Sequence, residues 1–224
     1  WIFIDPNPNV AVGFRERKRL FETPGANWID YDKQLISKGG GVFPRDINMI
    51  ELSEEMQTLF NLQVDEISTE NLIKNILTLD VDLLWSGAVG TYIKASSETH
   101  KQAMDDGNDM LRVDAEDLRC KTVAEGANLT FTQAGRVEYA LKSGLVNTDF
   151  IDNSGGVDCS DHEVNFKIVL NKAVLENKIT QDERGSLLKE MQTDVVTDII
   201  ANSRDQNYSL SLSAEESIKN LDKY

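Results

Sequence analysis

Short apolar runs alternate with amphipathic stretches along the chain. The runs that predict strands are each bounded by Gly, Asn or Asp, and they comprise residues 2–4, 81–85, 121–124 and 149–151. Strands that alternate with helical stretches are typical of an α/β fold with a mostly parallel sheet. Most of these runs are apolar on both faces, so we expect the strands to lie buried between layers of helices.

Apolar residues at helical spacing predict helices between the strands. One helix follows Pro8, and a second follows Thr69, with Ser68 or Thr69 as its cap. A third covers roughly residues 132–142, and Gly144 is expected to end it in a left-handed conformation. The apolar side chains that we expect to face the core are Val10, Phe14, Leu20, Phe21, Leu72, Ile73, Ile76, Leu77, Ala134, Val137, Ala140 and Leu141.

Two segments depart from this alternation. Residues 23–66 contain prolines and a run of three glycines, which predict an irregular excursion with short elements. From Val164 onward a helical stripe predicts a helical layer, interrupted by a polar loop over residues 202–213. We therefore divide the chain into a partial, Rossmann-like domain at residues 1–163 and a helical C-terminal segment at residues 164–224.

Charge and composition narrow the class of protein. The 224 residues include 38 Asp plus Glu against 23 Lys plus Arg, which gives a net charge of −15, and 40% of them are hydrophobic. These values are typical of an ordinary soluble globular protein and exclude a disordered or fibrous chain. Since such an acidic surface repels phosphate groups, neither nucleic acid nor a membrane face is an expected partner.

The start of the chain and its cysteines indicate the compartment. The chain opens on an apolar run at Trp1 without Met or a leader, which indicates a piece of something longer. No apolar run approaches the ~18 residues that span a bilayer. We expect a cytoplasmic protein with free thiols at Cys120 and Cys159, the latter as a small buried side chain. Two histidines are too few for a recognisable zinc site, so no metal is expected.

Asp5 is the first candidate for ligand binding. It stands at the end of the first predicted strand, and the following Pro-Asn-Pro prevents that strand from continuing. In a dinucleotide-binding sheet an acid at this place binds the adenosine ribose hydroxyls and repels a 2′-phosphate, which favours NAD over NADP. An Asp that merely caps the next turn is an equally good explanation of the position alone.

Three later strand ends share a chemistry. Residues 85–90, 124–128 and 153–157 each follow a predicted strand and combine small residues with an amide or a hydroxyl. Glycines allow the backbone to approach a ligand closely, and a following helix N-terminus offers free N–H groups. The repetition of this pattern predicts a ligand-binding edge of the sheet more strongly than any single turn.

Several of these stretches resemble a known family. Residues 125–128 (EGAN), residues 153–157 (NSGGV) and Ser160 resemble the paired motifs of the glutamate dehydrogenase superfamily. Longer strings are similar to the large, NAD-specific glutamate dehydrogenases of bacteria, and they lie at residues 3–8, 36–41, 82–85 and 152–162. The resemblance covers nearly the whole chain and implies a fragment, because the subunits of that family are several times longer.

The resemblance implies a site for NAD. It places Asp5 on the adenosine ribose, Asn128 near the nicotinamide ribose and Asn153 near the nicotinamide carboxamide. It places three consecutive residues against the diphosphate and the nicotinamide ribose, namely Ser86, Gly87 and Ala88. Neutral amides suit a carboxamide because they offer a donor and an acceptor together.

The resemblance also implies the substrate, L-glutamate or 2-oxoglutarate. It places Ser160 on the side-chain carboxylate of glutamate, and Val157 is suited to cover the aliphatic part. A dehydrogenase for an apolar amino acid is disfavoured, because it would leave the Ser160 hydroxyl without a partner. The implied reaction is oxidative deamination of glutamate, carried out by a full-length enzyme that we expect to be a homo-oligomer.

The chain departs from the family pattern in two ways. No G-x-G-x-x-G loop occurs, and the resemblance places that loop before Trp1, so the sheet is expected to lack its first βα unit. The catalytic lysine and acid are expected upstream as well, so we assign no catalytic residue and expect the isolated chain to be inactive. Lys38, followed by two glycines, imitates the catalytic lysine but lies out of order and is interpreted as a chance match.

A second class of function stays open. The same sheet could serve as a non-catalytic module for nucleotide binding or for oligomer assembly. The acidic composition and the missing glycine loop are compatible with that hypothesis.

Overall fold

A computed structural model describes residues 1–87 and 89–219, with side chains up to residue 216. The strands are β1 (Ile2–Ile4), β2 (Gly41–Phe43), β3 (Met49–Glu51), β4 (Glu66–Ser68), β5 (Leu83–Ser86), β6 (Ile93–Lys94), β7 (Val113–Asp114), β8 (Thr122–Glu125) and β9 (Leu145–Val146). The helices are α1 (Val10–Glu22), α2 (Glu54–Phe60), α3 (Thr69–Leu77), α4 (His100–Ala103), α5 (Gln133–Leu141), α6 (Asp149–Asp152), α7 (Ser154–Leu175) and α8 (Gln181–Lys219). Short 3-10 turns lie at Trp28–Asp30, Lys33–Leu35, Asp106–Asn108 and Ala115–Asp117.

The central sheet is parallel, in the order β5-β8-β9. Leu84 pairs with Val123, and Val123 pairs in turn with Val146. A second parallel pair joins β6 to β7, whereas β1 pairs with β2 and β3 pairs with β4 in antiparallel fashion. The expectation of an α/β fold with a mostly parallel sheet and a helical C-terminal part is therefore confirmed.

The predicted strand at residues 149–151 is wrong. This stretch is α6, and β9 occupies the third place in the sheet. Asp149 accepts a hydrogen bond from the backbone N–H of Phe150 at 3.0 Å, and Asp152 accepts one from the N–H of Glu125 at 2.9 Å. The Asp149 carboxylate binds an N–H group of its own first turn, which favours a helix start, whereas Asp152 ties this helix to the end of β8.

The three predicted helices are present as α1, α3 and α5, and Ser68 caps α3 as expected. The Ser68 hydroxyl accepts from the Asn71 N–H at 3.3 Å, and the Thr132 hydroxyl accepts from the Gly135 N–H at 3.0 Å. The left-handed residue after α5 is Ser143, with φ of 69°, and not Gly144. Gly144 is needed for space instead, because a Cβ atom there would collide with the ring of Tyr139.

The expected inward faces of α1 and α5 are wrong. On α1, Phe21 is 91% exposed, and Val10 and Phe14 are also mostly exposed. Glu16 on the same helix is buried. On α5, all four residues that were expected to face the core are exposed, namely Ala134, Val137, Ala140 and Leu141. The buried face of α5 consists of Gly135, Arg136 and Tyr139. Specific polar contacts of buried side chains with neighbouring segments, rather than the apolar stripe, therefore decide how these helices sit.

Two clusters of buried apolar residues form the core. The first joins β1, β3, β4, α2 and α3 and consists of Ile2, Ile4, Ile50, Leu52, Met56, Phe60, Ile67 and Leu72. The second surrounds β8 and α5 and consists of Ile93, Val113, Ala115, Leu118, Cys120, Val123, Phe131 and Tyr139. Residues 23–66 thus supply part of the first core through short elements.

The strands are less buried than expected. β8 lies between two neighbours and alternates buried with half-buried residues. β5 is an edge strand, and its Leu83 and Trp85 are 53% and 65% exposed. The division into domains at residue 163 stays a prediction.

The C-terminal part is two long helices that pack on one another. α7 begins at Ser154, ten residues before the predicted helical layer, and Val164, Ile168 and Val169 on it are exposed rather than packed inward. The predicted loop at residues 202–213 is wrong, because α8 runs through it. Its polar side chains donate hydrogen bonds to carbonyls one turn earlier, as Ser211 does to Asn207 at 3.0 Å, so they remain compatible with a helix.

Within the described ranges, none of the helices combines the length and apolarity needed to cross a bilayer.

Candidate functional site

The loops that follow β5 and β8 are joined at the carboxyl edge of the sheet. The hydroxyls of Ser86 and Thr130 lie 2.6 Å apart. The carbonyl of Thr130 also accepts from the N–H groups of Tyr92 and Ile93, at 3.0 and 2.9 Å. The segment 126–132 after β8 is thus tied to the chain that leaves β5, as expected for neighbouring parallel strands.

Two of the predicted site residues are in direct contact. The side-chain amide of Asn153 donates a hydrogen bond to the amide oxygen of Asn128. Asn153 lies between α6 and α7, and Gly156 follows it within the first turn of α7. A Cβ atom at Gly156 would lie 2.5 Å from the amide oxygen of Asn153, so a larger residue there would require this side chain to move.

A buried ion pair between Glu125 and Arg136 binds the backbone of this segment. Glu125, at the end of β8, is fully buried and accepts from the Phe131 N–H at 3.1 Å. It also accepts from Nε and Nη2 of Arg136 at 3.0 and 2.7 Å. Burial raises the pKa of the Glu125 carboxyl, and the hydrogen bonds from Arg136 oppose that rise.

Two carboxylates of α6 bind backbone N–H groups here, one at the end of β8 and one within the segment 126–132. Asp152 accepts from the Glu125 N–H at 2.9 Å, and Asp149 accepts from the Leu129 N–H at 3.0 Å. Leu129 has φ of 64°, a left-handed conformation that is unusual for a residue with a side chain. Sequence reasoning missed both acids because it interpreted residues 149–151 as a strand.

A cavity of about 330 Å³ opens beside these strand ends. Ser86 and Gly87 line it together with Thr130, and residues of β1 and α3 form its other side. The indole of Trp85 lies over the neighbouring glycines, since a Cβ atom at Gly126 would come within 2.8 Å of it and one at Gly87 would collide with it. Ala88, the third residue predicted here, lies outside the described residues.

Asp5 has a different set of neighbours. Its Oδ1 accepts from the N–H of Ser37 at 3.1 Å and from the Ser37 hydroxyl. That hydroxyl accepts in turn from the Asn7 N–H at 3.0 Å. Asp5 therefore links the end of β1 to the segment before β2, and its role on a ribose stays a prediction.

Val157 and Ser160 lie on α7, after Asn153. Both are exposed, Val157 by 61% of its surface. The Ser160 hydroxyl donates to the Gly156 carbonyl at 3.2 Å, a bond within the helix. Their proposed contacts with glutamate stay predictions.

The other reactive residue types have local roles. Lys38 is paired with Glu55 at 2.7 Å and is 86% exposed, and the hydrogen bond that it donates to Glu55 raises its pKa. Cys159 is exposed, contrary to expectation, whereas Cys120 is buried, and burial raises the pKa of its thiol. Among the residues that the structure describes, no group of three His, Cys, Asp or Glu side chains is arranged to hold a metal ion.

The fold and this edge define the class of protein. Parallel strands end in glycine turns, and two amide side chains meet beyond them, which is the arrangement of α/β proteins that bind a ligand at the carboxyl ends of their strands. Amides and hydroxyls at such a place orient a ligand by hydrogen bonds without adding charge.

Sequence comparison gives the family. Residues 1–213 match the family described as "Bacterial NAD-glutamate dehydrogenase, catalytic domain", and the chain belongs to that family. It is 48% identical over 223 residues to the NAD-specific glutamate dehydrogenase of Pseudomonas aeruginosa. The aligned region covers 100% of this chain and 14% of that protein.

Two further relatives carry the same name. The chain is 45% identical over 211 residues to the NAD-specific glutamate dehydrogenase of Halomonas elongata, covering 94% of the chain and 13% of that protein. It is 47% identical over 212 residues to that of Mycobacterium tuberculosis, covering 92% of the chain and 13% of that protein. The chain thus spans about a seventh of the length of these relatives.

Proposed function

We propose that this chain is the part of an NAD-dependent glutamate dehydrogenase that binds NAD and orients glutamate. The reaction of the whole protein is the oxidative deamination of L-glutamate to 2-oxoglutarate and ammonia. The observation that carries the proposal is the contact between Asn128 and Asn153 at the carboxyl edge of the sheet, in a chain of this family.

The residues at this edge fit the cofactor. Glycine at 156 keeps the space around the Asn153 amide free, and Ser86 and Gly87 line an adjoining cavity. Asn153 offers a donor and an acceptor to the nicotinamide carboxamide, and Asn128 takes the nicotinamide ribose. Asp5 binds the adenosine ribose, with its Oδ1 held by Ser37. Ala88 belongs to the same proposed set as Ser86 and Gly87.

When bound, NAD supplies the hydride acceptor for Cα of glutamate. Ser160 turns its hydroxyl from the Gly156 carbonyl to the side-chain carboxylate of glutamate, and Val157 covers the aliphatic carbons. These groups orient and select the substrate. Proton transfer belongs to a lysine outside this chain, so the isolated chain is expected to be inactive.

The whole protein is proposed to be a homo-oligomer that works in the cytoplasm. Apolar side chains at the surface of this chain support further contacts, since Phe21, Leu141 and Leu175 are at least 82% exposed. Such residues would be covered by other parts of the longer protein or by a second subunit.

Steady-state kinetics of the full-length enzyme test the proposed substrate contact. Ser160→Ala removes one hydrogen bond to a carboxylate, which is worth about 1.5–3 kcal/mol, so the KM for glutamate should rise about tenfold or more. The matched control is Ser209→Ala, at an exposed position on α8, which should leave the KM unchanged. An unchanged KM in Ser160→Ala would refute the assignment.

The proposed cofactor contact is tested separately. Asn153→Ala should lower kcat, because the nicotinamide loses the group that orients it. The alternative of a non-catalytic module predicts that Asn153→Ala and Ser160→Ala alter assembly only, which size-exclusion chromatography of the same variants would show.

A further inference from the structure

The backbone at Leu129 is held in an unfavourable conformation next to a proposed cofactor-binding residue. Leu129 directly follows Asn128, has φ of 64° and is 61% exposed. A left-handed conformation is costly for a residue with a branched side chain, and burial of that side chain offers little to offset the cost. Such strain persists only where neighbouring groups impose it, and it is concentrated at functional sites.

Asp149 binds the Leu129 backbone in this conformation. The Oδ2 atom of Asp149 accepts from the Leu129 N–H at 3.0 Å, and its Oδ1 atom accepts from the Phe150 N–H at 3.0 Å. Nη2 of Arg136 lies 4.0 Å from the same Oδ1, and the Asp149 side chain is only 19% exposed. The carboxylate is therefore fixed on one side by its own helix and on the other by a cation, with one oxygen left for Leu129.

The neighbouring acid does a different job. Asp152 accepts from the N–H of Glu125, before the segment begins, and from the side-chain amide of Asn147 at 3.0 Å. It therefore anchors α6 to the end of β8. Asp149 is the acid whose contact falls within the segment, one residue after Asn128.

We propose that Asp149 is a positioning residue of the dehydrogenase reaction. It holds Leu129 in the left-handed conformation, and this sets the direction of the preceding Asn128 side chain toward Asn153. The inference rests on the proposed function, since it takes Asn128 and Asn153 as the residues that orient the nicotinamide part of NAD. Asp149 itself touches neither cofactor nor substrate.

The first test compares Asp149→Ala with Asp149→Asn in the full-length enzyme. Asp149→Ala should lower kcat at least tenfold with the KM for glutamate changed less than twofold, because Ser160 and Val157 are on a different element. Asp149→Asn keeps an acceptor oxygen for the Leu129 N–H and should recover most of the kcat. A loss of thermal stability in Asp149→Ala with an unchanged kcat per folded molecule would overturn the proposal.

A second test needs no cofactor. Hydrogen–deuterium exchange of a peptide that covers residues 126–132 should be faster in Asp149→Ala than in the parent enzyme without NAD. Asp149→Asn should exchange at nearly the parental rate. Equal exchange in the parent and Asp149→Ala would overturn the proposal.

Leu129→Gly isolates the backbone conformation from general damage. Glycine adopts positive φ without the steric cost, so Asp149 becomes less necessary in this background. Asp149→Ala should therefore lower kcat several-fold less in Leu129→Gly than in the parent enzyme. Equal effects in the two backgrounds would overturn the proposal.

A failure of the proposed function is distinguishable from a failure of this inference. If Asn128→Ala leaves the kinetics unchanged, the assignment of the cofactor site is wrong. If Asn128→Ala impairs kcat while Asp149→Ala does not, the site stands and the positioning role falls.

Discussion

Arg136→Met tests the buried ion pair beneath the strand ends. Glu125 is 0% exposed, and its carboxylate accepts two hydrogen bonds from Arg136. Methionine has a similar length and supplies no donor, so the carboxylate keeps only the Phe131 N–H. Breaking a buried pair by removing one partner costs about 3–5 kcal/mol.

The pH dependence gives this prediction its sign. Burial already raises the folded-state pKa of Glu125 above the ordinary value of 4.5 for a glutamate, and the variant loses the Arg136 hydrogen bonds that oppose the rise. When the folded-state pKa of a carboxyl is raised, the protein is most stable at a pH below the unfolded-state pKa, where the carboxyl is protonated in both states. Stability is then lost as the pH rises from the unfolded-state pKa through the folded-state pKa. The variant should therefore be closest to the parent near pH 4.5 and lose most stability at pH 8.

Urea denaturation at the two pH values, followed by tryptophan fluorescence, measures the effect. Glu125→Gln combined with Arg136→Met removes the uncompensated charge and should recover part of the loss at pH 8. The control is Arg119→Met, an exposed arginine that donates to the Thr78 carbonyl, for which we expect a change within about 0.5 kcal/mol. A loss in Arg136→Met that is equal at both pH values, or larger at pH 4.5, would refute the reasoning.

Three further predictions follow from single contacts. Gly156→Ala places a Cβ atom 2.5 Å from the Asn153 amide oxygen, so it should lower the kcat of the full-length enzyme more than Gly185→Ala, where nothing lies within 4 Å; equal effects would contradict this. The hydrogen bonds from Arg19 are the chief cause that lowers the pKa of Glu16 to about 2, from an ordinary value of 4.5. Ionised Glu16 therefore stabilises the fold above pH 4.5, and this contribution is lost as the pH falls toward 2. Glu16→Gln should therefore lower the urea midpoint at pH 7 and converge with the parent at low pH, and a constant difference would count against the ion pair. Asp5→Asn should increase the use of NADP relative to NAD in steady-state assays, and an unchanged ratio would remove Asp5 from the ribose site.

The sequence predicted the two amides at the edge of the sheet better than the groups that support them, although the stretch before Asn153 is α6 and not a strand. Asn128 and Asn153 were recognisable because each follows an apolar run with glycines beside it, and the structure brings them into contact. Asp149 and Asp152 were not recognisable as supporting residues. Their stretch is too short for its apolar pattern to distinguish a strand from one turn of helix. Only their N–H partners on a distant segment decide the outcome.

The sequence by itself predicted α1, α3 and α5, the Ser68 cap and a mostly parallel sheet. Ser68 and Thr132 bind N–H groups three residues away, and such contacts depend on neighbours in sequence alone. Tertiary structure decided which face of α5 is buried, because Arg136 meets Glu125 across 11 residues and Tyr139 donates to the Cys120 carbonyl across 19. A buried charge must find its partner whatever the apolar stripe prefers, and that partner is defined only once the chain has folded.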